Sequence, residues 1–449
     1  MNNANQFSRR RFLAAGSAAG AGLLAVPLAG LHGEEAQEIN LAIIGAGEHG
    51  RALIQAALGI PRLRFRAVCD IWEYRRRTAS AFLKNYGQEV KEYGDYREML
   101  ERQKDLRGVI VATPDFAHAE QVNACLKAGL HVYCEKTMAH TLEAARSMVR
   151  TMKETSKLLQ IGYQRASNPR YRHTCQNLFQ KAKLTGIPTQ VNAQFAHRVA
   201  EDLGWPKRQA MTDEALKPYG YANMNELRNW RNFRKFSAGV FADFGAQQVA
   251  VANWFLGVLP QTVTVSAGRD YYRDLEGFDN MMAVLEYPAP TGLVRALFQV
   301  ITTSNSGLES HFEKFMGTEG TLQMSENPKW TKAFQEPYAA DWDELVKQNH
   351  LVKDQSLQPP PEKETAEPED PNAVHVRETG QVVGYQIPVV LDRPLHQPHL
   401  ENWVAAMRGK ETLNGSAEMA WPVEVLLHKI NEAAVQRKTL SIKPEEFTV

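Results

Sequence analysis

The chain has 449 residues, 43% of them hydrophobic and 23% charged, with a formal net charge of +1 at pH 7. That length and balance bury cores for two or three domains and give an ordinary soluble globular composition. The near-neutral charge excludes a general attraction to nucleic acid or anionic membrane, so the expected partner is a small molecule.

In chain order, Ser8-Arg9-Arg10-Arg11-Phe12-Leu13 precedes an uncharged, Ala/Gly-rich run from Ala14 to Leu31. This is the form of a twin-arginine export signal. The run is poor in Leu, Ile and Val and carries Pro27, which argues against a spanning anchor. Residues 1–38 are therefore expected to be signal and linker, with a periplasmic or otherwise exported location and no stable membrane association beyond an uncleaved signal.

Ile39–Gly50 (INLAIIGAGEHG) is an apolar run of strand length that ends in Gly45-x-Gly47-x-x-Gly50 and passes into the helix-like RALIQAALG. Such a turn cradles a dinucleotide: Gly45 for the tight turn, Gly47 for close approach of a pyrophosphate, Gly50 for helix packing. Glu48 and His49 lie inside it. A second apolar strand, Leu63–Cys69, ends in Asp70, about 20 residues past Gly50, where an acid accepts a hydrogen bond from a ribose hydroxyl. Asp70 favours NAD, and the neighbouring Arg75, Arg76 and Arg77 leave NADP open.

Helix and strand then alternate. Helical stretches are expected at Trp72–Tyr86, Arg97–Gln103, Ala119–Ala128 and Thr141–Ser156, and strands at Gly108–Thr113, His131–Glu135 and Leu158–Gly162. That rhythm predicts an α/β fold with a parallel, doubly wound sheet over 39–162, whose ligands sit at the carboxyl ends of the strands. Gly45, Asp70, Thr113, Lys136 and Gln164 all fall at that rim. From Tyr163 the pattern changes: a helix at Arg170–Lys183, then strands at Thr189–His197, Thr262–Ala267, Met281–Glu286, Leu293–Thr302 and Phe312–Met316. These predict a large, mainly antiparallel open sheet over 163–449. Gln358–Ala373 is Pro- and Glu-rich and reads as a flexible loop, and His399–Arg408 and Val423–Gln436 as late helices. Cys69, Cys125, Cys134 and Cys175 have neither metal-ligand spacing nor a pairing framework, so no metal is expected.

With VATPDFAH, YCEK and SAGVFADFGAQQVAVANWFLG in view, the chain from Ile39 onward resembles the Gfo/Idh/MocA superfamily of sugar and cyclitol oxidoreductases. It is especially similar to the exported branch with glucose-fructose oxidoreductase and the NAD-dependent glycosidases. The resemblance implies an N-terminal Rossmann domain and a C-terminal α/β domain whose sheet roofs the nicotinamide and forms a homo-oligomer interface. It implies that Glu135 and Lys136 lie by the nicotinamide, that Thr113, Pro114 and His118 line the cofactor, and that Asp243 binds substrate. The sequence departs from the family pattern at Gln247, where a histidine is usual, at Ala250, and at Thr137 in place of proline.

Oxidising a secondary alcohol needs a base for the hydroxyl proton beside the hydride acceptor. An amide cannot take that proton, so Gln247 orients a hydroxyl, and Lys136 is the expected base with Asp243 as the orienting acid. A helix N-cap role is the rival reading of Asp243. Tyr163, Arg165, His197, Trp230 and Arg234 are candidates to hold the sugar, though the basic cluster around Arg231 and Arg234 also suits a solvated surface. Met138 and His140 have no assignable role. Export favours a cofactor loaded beforehand and retained. Three readings follow: an NAD(P)-dependent sugar oxidoreductase with tightly bound cofactor, which is preferred; a glycosidase or lyase acting through transient oxidation; and a degenerate nucleotide-binding protein.

Overall fold

The computed structural model describes residues 38–307, 309–357 and 383–449. The expected export segment and the expected flexible loop at 358–373 lie outside the described residues. Ile39–Ile44 is buried at every position but Asn40, as befits a strand covered on both faces. It opens a series of β1 (Ile39–Ile44), α1 (Glu48–Leu58), β2 (Leu63–Cys69), α2 (Glu73–Lys84), β3 (Lys91–Tyr93), α3 (Tyr96–Arg102), β4 (Gly108–Val111), α4 (Asp115–Lys127), β5 (His131–Cys134), α5 (Leu142–Thr155) and β6 (Leu159–Ile161). The six strands form one parallel sheet in the order β3-β2-β1-β4-β5-β6. Strand order reverses direction between β1 and β4, the crevice where such sheets hold nucleotides.

The chain continues through α6 (Pro169–His173), a π-helical stretch over Thr174–Lys181, β7 (Pro188–Ala196), α7 (Asp213–Leu216), α8 (Met224–Arg228), α9 (Val240–Phe244), α10 (Ala246–Leu256), β8 (Thr262–Gly268), β9 (Asn280–Ala289) and β10 (Gly292–Ile301). There follow β11 (His311–Gly317), β12 (Gly320–Met324), β13 (Lys332–Gln335), α11 (Asp343–Lys347), β14 (Val352–Lys353), β15 (Val383–Gln386), α12 (Gln397–Met407), α13 (Ala417–Gln436) and β16 (Leu440–Ser441). The second sheet runs β14-β15-β13-β12-β11-β7-β10-β9-β8-β16, antiparallel except for the parallel pair β7–β10. The α/β class and both sheets agree with expectation.

Three local features have physical reasons. The helix expected at Ala119 starts at Asp115, because Pro114, with φ −63°, is pre-set to enter it. Around Asp243 and Gln247, which lie in the segment that resembles the family, two helices meet at Gly245. Residues of the late helix α12, among them Leu400, Trp403, Val404 and Met407, bury against Ile39, Leu41 and Phe65 of the first sheet. The far end of the chain thus covers one face of the leading sheet. The four cysteines are buried free thiols. Among the described residues no helix is long and apolar enough to cross a membrane.

Candidate active site

The carboxyl ends of β1, β2, β4 and β5 open on a groove of about 560 Å³ lined by Gly45, Gly47, Glu48, His49, Gly50, Asp70, Thr113, Pro114, Glu135 and Lys136. Gly45 has φ +93°, and a Cβ on Gly50 would sit 2.1 Å from the Gly45 carbonyl oxygen, so both glycines are required by the turn itself. Gly47 is different: its φ of −63° suits any residue, and a Cβ there would meet nothing within 4 Å. The space it leaves opens into the groove, which fits close approach of a ligand's phosphates to the backbone. The groove therefore accommodates a dinucleotide.

Asp70 lines it, accepting hydrogen bonds from the backbone N–H of Ala46 (2.7 Å) and Trp72 (2.8 Å). Burial raises its pKa, against the pull of those two donors. Of the three arginines that follow, Arg76 donates to the Asp70 carbonyl at 2.7 Å and Arg77 pairs with Glu73 on the surface. Arg75 alone of the three lines the groove, 3.3 Å from Glu48.

A second cavity of about 510 Å³ shares His49, Glu135, Lys136 and Arg231 with the groove and adds Gln164, Arg165, His197, Asp243 and Gln247. Lys136 Nζ donates to the backbone carbonyl of Asp243 and lies 3.4 Å from its carboxylate. The other Asp243 oxygen accepts from Arg231 Nε at 2.7 Å. Burial opposes ionisation of Asp243, but Arg231 and then Lys136 outweigh it and hold the carboxyl at about 2. The N-cap reading of Asp243 is thereby replaced: Gly239 caps α9, and the carboxylate joins two cations.

Beside this pair, Glu135 accepts from His49 Nε2 at 3.0 Å and from the Tyr133 hydroxyl at 3.2 Å. Its carboxyl is pushed up by burial but held at about 2, chiefly by His49, whose own pKa Glu135 raises. Each of His49, Glu135 and His396 offers a metal-capable atom within 4.8 Å of the others. His49 and Glu135 lie in direct contact, at 3.0 Å. Gln247 is buried, donates to the Gly162 carbonyl (3.1 Å) and to Gln164 Oε1, and leaves its own Oε1 without a partner. The Lys136–Thr137 peptide bond is cis.

Several expected site residues stand elsewhere. His118 is buried behind the groove, its ring nitrogens 2.8 and 2.7 Å from the Thr137 and Thr113 carbonyls, so it ties together the two loops that form the wall. Tyr163 turns inward, its hydroxyl donating to Glu424 at 3.0 Å. Arg165 reaches the second cavity, but its guanidinium is taken by Glu313 and Glu326. Trp230 lines the nucleotide groove rather than the second cavity, with Arg231 over its ring at 4.2 Å. Arg234 lines neither, being bound to Glu276 on the surface. Gln164, expected at the cofactor, lines the second cavity. Arg231, Glu326, His396 and Glu424 are site or supporting residues that the sequence did not single out; only for Arg231 did it carry a signal, the basic cluster ahead of Asp243.

Residues 39–163 match a family model described as "Oxidoreductase family, NAD-binding Rossmann fold", and residues 217–441 match its companion, "Oxidoreductase family, C-terminal alpha/beta domain". An inositol 2-dehydrogenase of Salmonella typhimurium is 32% identical over 134 residues, 30% of this chain and 38% of that protein. One of Rhizobium meliloti is 26% identical over 234 residues, 51% of this chain and 58% of that protein. The chain thus aligns with well under two thirds of the length of these relatives. Among solved structures, an aldose-aldose oxidoreductase from Caulobacter crescentus complexed with glycerol superposes with a TM-score of 0.65 at 15% identity, covering 90% of this chain and all of that one. The WlbA dehydrogenase of Chromobacterium violaceum, in complex with NADH and UDP-GlcNAcA, gives 0.62 at 18% identity over 91% of this chain and 97% of that one. With both of its domain models matched in order, the chain belongs to the Gfo/Idh/MocA family of oxidoreductases.

Proposed function

We propose that the protein is an NAD-dependent oxidoreductase of a sugar or sugar-like polyol, working by hydride transfer where the groove and the second cavity meet. The observation that carries this is the shared wall: Lys136, paired with Asp243, faces both spaces. When bound, the nicotinamide nucleotide supplies the acceptor for the hydride that leaves a secondary alcohol carbon. Lys136 takes the hydroxyl proton in oxidation and returns it in reduction. Asp243, ionised throughout, positions the Lys136 amine and stabilises the ammonium formed once it has taken that proton, and Gln247, which lines the second cavity, orients a neighbouring substrate hydroxyl. Lys136→Met should slow single-turnover hydride transfer by about 10²-fold or more while NAD still binds. Unimpaired transfer in that variant overturns the assignment.

A specific observation favours a second reading, cleavage of a glycoside through transient oxidation. The same wall carries a second proton-transfer pair, His49 with Glu135. A ketone made next to a C–H acidifies it, and elimination then needs another group to protonate the departing glycosidic oxygen. This reading expects aglycone release with no net change at the reduced-nicotinamide absorption band.

The arginine run at Arg9–Arg11 and the uncharged stretch behind it support export by the twin-arginine route. Cell fractionation tests it: the intact chain is expected outside the cytoplasm, a chain with Arg10 and Arg11 changed to Lys inside, and equal distribution of both counts against export. The resemblance to glucose-fructose oxidoreductase supports the same route. The chain is further proposed to self-associate through the open face of its second sheet, where Met282 and Val284 of β9 are exposed.

A further inference from the structure

The segment between β7 and α9 supplies Arg231 to the proton-transfer wall, but most of it does something else. Leu216, Tyr221, Met224 and Phe236 bury together in a small core of their own, and the residue they close upon is Trp72, which follows β2 in the leading sheet. The Trp72 indole N–H donates to the Gln209 carbonyl at 2.6 Å. On the opposite lip, the carboxylate of Asp115 at the start of α4 accepts from the Ala238 N–H at 3.2 Å. Phe116, next to it, packs on Tyr221 and Phe236 at ring separations of 5.6 and 4.9 Å. The segment is therefore fastened to both sides of the nucleotide groove, after β2 and after β4. Between these fastenings Tyr219, Tyr221, Arg228 and Trp230 form the wall that faces the glycine turn.

Arg228 is the charged member of that wall. Its Nε donates to the Gly204 carbonyl at 2.7 Å, which fixes the guanidinium to the segment, and its Nη2 stands 3.9 Å from Glu48 Oε1. The same carboxylate oxygen is 3.3 Å from Arg75. Glu48 opens α1 and its side chain is 73% exposed. Two guanidinium groups thus converge, across the groove, on one solvated carboxylate at the end of the glycine turn. A solvated carboxylate is a weak and replaceable partner. A pyrophosphate on the same turn carries more charge and geometry suited to arginine.

We propose that residues 203–236 are the second wall of the dinucleotide site, a clasp tied to both lips of the groove. Arg228 leaves Glu48 to pair with the pyrophosphate, and the cofactor dissociates only when the clasp lifts. This rests on the reading of the groove as an NAD site. It gives a physical basis for a cofactor retained from one turnover to the next.

The test is the release rate of NADH from the full-length protein, followed by loss of nicotinamide fluorescence on dilution into excess NAD, with native mass spectrometry of the same samples. Wild type should release slowly. Arg228→Met, which removes a charged hydrogen-bond donor, should release about ten- to a hundredfold faster, and Arg228→Lys should recover part of the difference. Trp72→Phe keeps the ring but drops the bond to Gln209 and should also speed release. Cofactor-free melting temperatures, expected to match wild type for Arg228→Met and Arg228→Lys, separate loss of the clasp from loss of the fold. If wild type binds no NAD or NADH, the reading of the groove fails. If wild type binds and the variants that fold release at its rate, the clasp alone fails.

Discussion

At Glu135 and Asp243 burial works against ionisation, and His49 and Arg231 respectively overcome it, so both carboxyls titrate at about 2. They are anions at any working pH, and neither can be the group that exchanges a proton near neutrality. His49 can, because Glu135 raises its pKa above the ordinary 6.5. The attraction between them is complete below the value of an unfolded histidine and disappears as pH rises through the raised folded value, so the pair shapes the alkaline side of any profile. Glu135→Gln should bring the His49 titration, read by NMR of the imidazole protons, back down toward that of a free histidine. An unmoved midpoint would mean that something other than Glu135 perturbs the ring. The glycines, Asp70 and Lys136 were legible from sequence because each lies at the end of a recognisable strand, and Asp243 through the family resemblance of its segment. Tyr163 and Arg234 were not, because a residue's direction after a strand end depends on which partner it finds. For Tyr163 that partner is Glu424, more than two hundred residues away.

At the scale of elements, α13 props up the loop that carries Lys136. Glu424 in this helix is fully buried, and its Oε1 accepts from the Met138 N–H and the Tyr163 hydroxyl, both at 3.0 Å. Burial lifts its carboxyl from 4.5 to about 8, so the folded protein holds it neutral. Below the unfolded value both states are protonated; between there and about 8 only the unfolded chain gives up the proton, and stability declines as pH rises. Glu424→Gln keeps the acceptor oxygen and should abolish that decline, so the stability of the variant relative to wild type should rise as pH goes from about 5 to 7 in denaturant titrations. Parallel pH dependence in the two proteins would assign the decline elsewhere. Most strands and helices could be located by their periodicity, while β12 to β16, short and partly polar, could not. The break at Gly245 was equally hidden. A Cβ there would lie 2.7 Å from the Phe241 ring, a clash known only once α9 is placed.

Across the whole molecule, the second sheet buries one face on α10 and α13 and turns the other outward. On that outer face Met282 and Val284 lie opposite Gln299 and Leu297 of β10 and beside Ser266 and Thr264 of β8, an apolar strip in a polar border. An open sheet face of this kind suits an isologous contact between copies. Replacing Met282 and Val284 together by Glu should convert an oligomer to a monomer in light scattering, and a wild-type monomer would refute self-association through this face. The leading parallel sheet and the nucleotide turn at Gly45–Gly50 could be read from the residues alone, because they depend on local periodicity and on backbone freedom at single positions. The folded chain was needed to show that α12 closes the leading sheet, that Arg231 rather than Arg234 meets Asp243, and that residues 203–236 line the groove. Those outcomes come from contacts between segments tens to hundreds of residues apart, where burial and charge pairing choose among partners that local sequence leaves equally available.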